Sequence, residues 1–147
     1  MKKMLAMALY LMTALVLSAC GQKTEYQDST ITEADAFPNV SMVLFNEEID
    51  LNLMTLEVVN NNDFGIESGG EFWVEEYRDG KWQAIVVGEK DFTGGTATYY
   101  GRQLLQVDVS SVYGELPEGH YRILKCFRTK NQDPIQTFYL SAEFDLS

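Results

Sequence analysis

The sequence predicts an all-β fold, an antiparallel sandwich of about seven short strands that begins near residue 38. Apolar residues recur at every second position in short runs, as in a strand with one buried and one solvated face. The last run is the clearest, because the apolar positions 138, 140, 142, 144 and 146 alternate with more polar ones. The predicted strands cover residues 40–45, 54–58, 71–77, 82–87, 105–109, 120–127 and 138–146.

Turn-forming clusters separate these runs. Asp79-Gly80 stands between two of them and is a strong hairpin signal, because a type I′ turn needs positive φ at both central residues. The Asn-rich stretch 60–65 ends an earlier strand, since Asn and Asp tolerate left-handed backbone and bond to it locally. Gly94-Gly95 and residues 131–134 predict two further loops.

The first 19 residues have the three parts of an export signal. Lys2 and Lys3 precede an uncharged run over residues 4–17, which is too short for a membrane span of roughly 20 residues. Leu17-Ser18-Ala19-Cys20 resembles the lipobox of bacterial lipoproteins. That resemblance implies cleavage before Cys20, a diacylglycerol on its thiol, and an exported protein held by lipid on the extracytoplasmic side of a membrane. An ordinary signal peptide with a chance cysteine is the alternative.

Residues 20–37 are predicted to be the lipidated cysteine followed by a flexible tether. The stretch 21–36 is polar, acidic and without period, and such a coil spans roughly 20 to 25 Å. The domain itself is expected over residues 38–147, a length suited to one core.

Charge and cysteine content narrow the possible partners. Without residues 1–19, the chain keeps nine basic and 22 acidic side chains, a formal net charge of −13. Such a field repels nucleic acid and anionic headgroups, so the expected membrane contact is the lipid anchor alone.

If Cys20 is lipidated, Cys126 has no partner in the chain. A buried small apolar side chain is then favoured over a reactive thiol or an intermolecular bridge.

Tyr121 follows Leu116-Pro117-Glu118-Gly119-His120 at the start of a predicted strand. This placement is typical of a tyrosine corner, in which a buried ring sends its hydroxyl back to an upstream backbone group. An ordinary core tyrosine is the alternative.

Residues from about 40 to 146 resemble the bacterial immunoglobulin-like domains of exported lipoproteins. The resemblance lies in the stretches 75–82, 116–123 and 142–146. It implies a scaffold, and says little about activity. Antibody-type domains carry a disulfide where this chain has Ile123. The resemblance therefore implies hydrophobic packing in its place, with Leu56 as the counterpart.

The residues offer little for catalysis or metal binding. His120 is the only histidine. To act as a base it would need an orienting acid, such as Glu118 or Glu115. The acidic clusters 47–50 and 71–76 lack the spacing of an EF-hand loop and are expected to be solvated. We expect no catalytic residue, no metal ligand and no cofactor, with cation binding by residues 60–63 as a minor alternative.

Four basic residues fall within nine positions near the sixth predicted strand: Arg122, Lys125, Arg128 and Lys130. Cross-strand pairing with Glu71, Glu75 and Glu76 is the expected role, and a site for an anionic partner is the alternative. Strict alternation points Lys125 inward, so a bulge or strand end is expected there.

The function predicted from the sequence is a lipid-anchored, extracytoplasmic, non-enzymatic binding or structural module. A first alternative is an accessory lipoprotein that binds a glycan or peptide through its loops and exposed aromatic residues such as Trp73 or Trp82. A small hydrolase is a weaker alternative, because the sequence has no second base. The identity of a protein or glycan partner stays open.

Overall fold

The structure is a computed structural model that describes residues 24–90, 92 and 94–147. It contains ten strands and one short helix in the described residues. The strands are β1 (Glu25–Asp28), β2 (Val40–Leu44), β3 (Met54–Asn60), β4 (Ile66–Ser68), β5 (Trp73–Arg78), β6 (Lys81–Val86), β7 (Ala97–Tyr99), β8 (Gly101–Val107), β9 (Gly119–Thr129) and β10 (Thr137–Leu146), and the helix is α1 (Val109–Tyr113).

These strands form two antiparallel sheets, which confirms the predicted β-sandwich. The large sheet has the order β1-β6-β5-β9-β4-β7, and β10 pairs with the other side of β9. The small sheet has the order β2-β3-β8. Apolar side chains from both sheets meet in one core, in which Leu56 and Ile123 are both fully buried. Among the described residues, no helix has the length and apolar character needed to cross a membrane.

Buried and partly exposed side chains alternate along β3 of the small sheet, as predicted. Along β3, Met54, Leu56, Val58 and Asn60 are buried and the residues between them are partly exposed. The Asp79-Gly80 hairpin also forms, with positive φ at both residues and β5 paired to β6 on either side.

The predicted strand at residues 105–109 begins and ends earlier, as β8. Asp108 stops it, because its carboxylate accepts the Ser111 backbone N–H and so caps α1. Val109 is buried as the first helical residue and not as the end of a strand. The short strands β4 and β7 were not predicted, since three residues carry too little periodicity.

The prediction of a flexible tether is wrong for residues 25–28. These residues form β1, which pairs with β6 from Glu25 opposite Val86 to Asp28 opposite Gln83. The chain then reaches the opposite edge of the sheet, where the Asp35 backbone N–H donates to the Tyr139 carbonyl at 2.9 Å. We call residues 24–35 the N-terminal arm.

The arm crosses the face of the large sheet that points away from the core. Ser29 donates its hydroxyl to Glu75, whose neighbour Val74 faces the core. The Asp35 carboxylate then accepts the Ser141 backbone N–H at 2.8 Å on the edge strand β10. The crossing explains why β9 is buried on both faces from Tyr121 to Lys125.

Candidate functional site

Tyr121 has the geometry of a tyrosine corner. Its side chain is fully buried, and its hydroxyl donates to the Pro117 carbonyl oxygen at 2.7 Å. The ring stacks on Phe144 of β10 with centroids 5.5 Å apart. Burial raises the pKa of Tyr121, so the hydroxyl stays a donor at neutral pH. The bond holds the loop before β9 against the sheet.

Gly119 lies beside the corner, where a side chain would not fit without movement. A Cβ built there would lie 2.9 Å from Oε1 of Glu76 and 3.1 Å from Cε2 of Tyr121. The carboxylate of Glu76 also accepts the hydroxyl of Tyr26 in the arm, and the guanidinium of Arg78 lies 4.2 Å over the Tyr26 ring. The corner and the arm are therefore packed around the same carboxylate.

The Glu75–Arg122 pair is the most buried ion pair in the described part of the chain. It joins neighbouring strands β5 and β9, with Nη2 of Arg122 2.6 Å from Oε2 of Glu75 and side chains 10% and 2% exposed. The arm completes the group, because Ser29 donates to the other oxygen of Glu75. The guanidinium of Arg122 also lies 4.5 Å over the Trp82 ring. Cross-strand pairing was predicted, whereas its burial was not.

Arg128 and Lys130 both pair with Glu67 of β4. The sequence had predicted pairing with Glu71, Glu75 and Glu76, because β4 was not predicted. Lys130 lowers the pKa of Glu67 by its hydrogen bond and charge, and Arg128 adds to this effect in the same way. The basic run is therefore divided among separate partners and forms no continuous cationic surface.

The expected bulge at Lys125 is wrong, because β9 continues through it in register with Leu140 of β10. The lysine is buried, and its Nζ donates to the carbonyl oxygens of Gly69 at 2.8 Å and Glu71 at 3.0 Å. Burial lowers the pKa of Lys125 to about 8. The ammonium thereby fixes the loop between β4 and β5 without a bend in β9.

Lys125 lines a half-open cavity of about 380 Å³ with Phe72, Tyr99 and Val107. Asp108 is the other charged residue among those described in the lining, and it is engaged as the cap of α1. The lysine already binds two carbonyl oxygens. The hydroxyls of Ser68 and Ser111 in the same lining donate to the carbonyl oxygens of Cys126 and Asp108, so these polar groups are also engaged within the fold.

Cys126 points to the outer face and is half-buried. Burial raises the pKa of the Cys126 thiol, which disfavours the reactive thiolate. Its cross-strand neighbour Tyr139 packs edge-on against Trp73. We therefore predict that this thiol reacts slowly with labelling reagents.

His120 lies at the partly exposed end of the same face. Its Nδ1 is 2.7 Å from Asp145 and its Nε2 is 3.0 Å from Glu143, while Glu115 and Glu118 are not its partners. The hydrogen bond to Asp145 is the largest cause of the raised pKa of His120; burial opposes it, and Glu143 adds a smaller upward effect. Both ring nitrogens are therefore occupied by carboxylates, an arrangement that holds a proton and leaves no nitrogen free to act as a base.

Asn60 uses its amide inside the fold. Its Nδ2 donates to the carbonyl oxygens of Phe64 and Tyr99, and its Oδ1 accepts from Asn62. No group of three or more possible metal ligands occurs among the described residues. The loop at residues 60–63 is thus explained by its own hydrogen bonds.

The two tryptophans are half-buried and covered by neighbours. Trp82 has Arg122 over its ring, with Tyr77 5.2 Å and His120 5.4 Å away between centroids. Exposed apolar side chains also occur on the small sheet, where Val43 and Leu104 flank Glu57 with exposures of 47% and 51%.

Cys20 and the export signal lie outside the described residues. The sites that sequence reasoning missed, Tyr26, Ser29 and Asp35, belong to the arm and carry no periodic signal.

Comparison with known proteins identifies the domain. A family model described as a bacterial Ig-like domain matches residues 36–145. The matched range begins directly after the arm. No curated protein and no solved structure matches the chain. The match covers well over half of the chain and agrees with the two-sheet fold, so the chain belongs to the bacterial Ig-like domain family.

Proposed function

We propose that this protein is a lipid-anchored, extracytoplasmic Ig-like module with a non-enzymatic binding or structural role. Domains of this family are typically non-catalytic and extracellular or surface-exposed. The geometry of the described residues supports the same role, because each buried charged group is engaged in holding loops and strands together.

The observation that carries the anchoring is the position of Cys20. It follows the small residues Ser18 and Ala19 at the end of an apolar run with two lysines before it. A lipid on that thiol would hold the domain at a membrane despite the net charge of −13 on the rest of the chain.

Lipid labelling in cells tests this proposal. A radiolabelled lipid precursor should be incorporated into the full chain and into Cys126→Ser, and should be lost from Cys20→Ser. Cys126→Ser is the matched control, because it removes the only other cysteine. Label retained in Cys20→Ser would overturn the anchoring.

Two observations support this proposal over the alternative functions. A sugar stacked on Trp82 or Trp73 would compete with Arg122 or Tyr139, which already pack on these rings, so the exposed rings of Tyr77 and Tyr100 are the aromatic faces open to that alternative. A hydrolase built on His120 needs a free ring nitrogen, and both are bonded to carboxylates. The exposed Val43 and Leu104 of the small sheet are more consistent with a protein contact.

A further inference from the structure

We infer that the β1 edge of the large sheet lies against the headgroups of the membrane that holds the protein. This inference rests on the proposed anchor at Cys20, and it adds a surface and an orientation. The partner is the bilayer itself, contacted through strands β1 and β6.

The length of chain between the anchor and the fold sets the distance. β1 begins at Glu25, so only residues 21–24 separate it from Cys20. Five residue steps of fully extended chain span at most about 17 Å. The opposite edge of the large sheet, β10, is four strand spacings from β1, or roughly 19 Å. If that edge faced the membrane, β1 would lie beyond the reach of the anchor.

The arm is held to the sheet at several points, so it does not add length. Four residues of β1 pair with β6, and Lys81 pairs with Asp28 at the end of this ladder. Tyr26 donates to Glu76, and Ser29 donates to Glu75. Release of the arm would require all of these contacts to break. The 20 to 25 Å of tether expected from composition is therefore replaced by a short connection.

Lysine footprinting on vesicles tests the orientation. The chain from Cys20 with Cys126→Ser is coupled through Cys20 to a maleimide lipid in phosphatidylcholine vesicles, then acetylated and read by mass spectrometry. Lys81 begins β6 and its side chain is 52% exposed, so its labelling should fall relative to the uncoupled protein. Lys130 follows β9, three strands from β1 and beyond the Glu25 end of the strands, so it should label equally in both forms if the β1 edge faces the membrane and should be protected if the strand ends do. Equal labelling of Lys81, or protection of Lys130 instead, would overturn the inference.

A linker variant separates the short connection from other causes. Insertion of a flexible Gly/Ser segment of about 12 residues between Lys23 and Thr24 adds a typical reach of roughly 20 Å. It should restore the labelling of Lys81 on vesicles, and continued protection would overturn the role of chain length. Because the lipid is attached chemically, this experiment can succeed even if cells fail to label Cys20. Its failure is thus distinguishable from failure of the anchoring proposal.

Discussion

The two sheets of this sandwich bury their residues in different ways. In the small sheet, β3 alternates between buried and partly exposed positions along its whole length. In the large sheet, β9 is buried at five consecutive residues, from Tyr121 to Lys125. One sheet has a solvated face, and the other is covered on both sides.

The arm accounts for the difference. It covers the outer face of the large sheet between β1 and β10, through Ser29 on Glu75 and Asp35 on Ser141. Charged residues on that face therefore lose water and must find partners within the protein. Glu75 and Arg122 do so with each other, whereas the corresponding Glu57–Arg102 pair of the small sheet keeps Arg102 68% exposed. The same kind of cross-strand ion pair is therefore expected to contribute differently to the stability of the two sheets.

Removal of one carboxylate from each sheet gives the largest expected contrast. Glu75→Ala leaves Arg122 buried without its partner, which should lower the free energy of unfolding by about 3–5 kcal/mol. Glu57→Ala breaks a pair in which the Glu57 side chain is 12% exposed but Arg102 is 68% exposed. Because Arg102 stays hydrated without its partner, the change should cost about 0–1 kcal/mol. Urea denaturation of both variants measures the difference as a shift in midpoint at constant slope.

A double variant sharpens this test. Replacement of Glu75 and Arg122 together by leucine removes both charges, so it should be less destabilising than Glu75→Ala alone. If Glu75→Ala and Glu57→Ala denature at the same urea concentration, the two faces do not differ as described.

The part of the fold that follows from local pattern could be predicted from the sequence. β3 and β10 each bury alternate residues, and Tyr121 stands after a loop that its hydroxyl can reach. Each of these features depends on residues close together in the chain. The alternation of apolar residues and the short spacing between Pro117 and Tyr121 are therefore enough to predict these features.

The arm could not be predicted in that way. β1 has the sequence Glu-Tyr-Gln-Asp, with one apolar-bodied residue and no alternation. Its position depends on Glu75, Glu76 and Lys81, which lie about 50 residues further along the chain. Lys125 is similar, because the carbonyl oxygens that satisfy it come from a distant loop. Contacts of this kind are set by the tertiary fold.

The tyrosine corner gives a smaller expected effect within the large sheet. Tyr121→Phe keeps the ring on Phe144 and removes the bond to Pro117, which should cost roughly 0.5–1.5 kcal/mol. Tyr77→Phe is the control, because Tyr77 is 47% exposed in the same sheet and should be nearly neutral. A urea midpoint for Tyr121→Phe equal to that of wild type would contradict the corner.

The smallest expected effect is at His120, the partly exposed end of the large sheet. Asp145 is 2.7 Å from Nδ1 and is the main cause of the raised pKa of His120, while Glu143 raises it by less. Asp145→Asn should therefore lower this pKa more than Glu143→Gln. The chain has a single histidine, so one imidazole signal in an NMR titration reports the value directly.

The direction of the linked stability change follows from the raised pKa. The folded state binds the proton more tightly than the unfolded chain, whose histidine has a pKa of about 6.5. The stabilisation is complete below that pH and is lost as the pH rises through the raised pKa of the folded protein. Because the Asp145 side chain is 80% exposed, added salt should weaken the effect, unlike that of the buried Glu75–Arg122 pair. A His120 pKa that neither variant nor salt lowers would contradict the assignment of its raised value to Asp145 and Glu143.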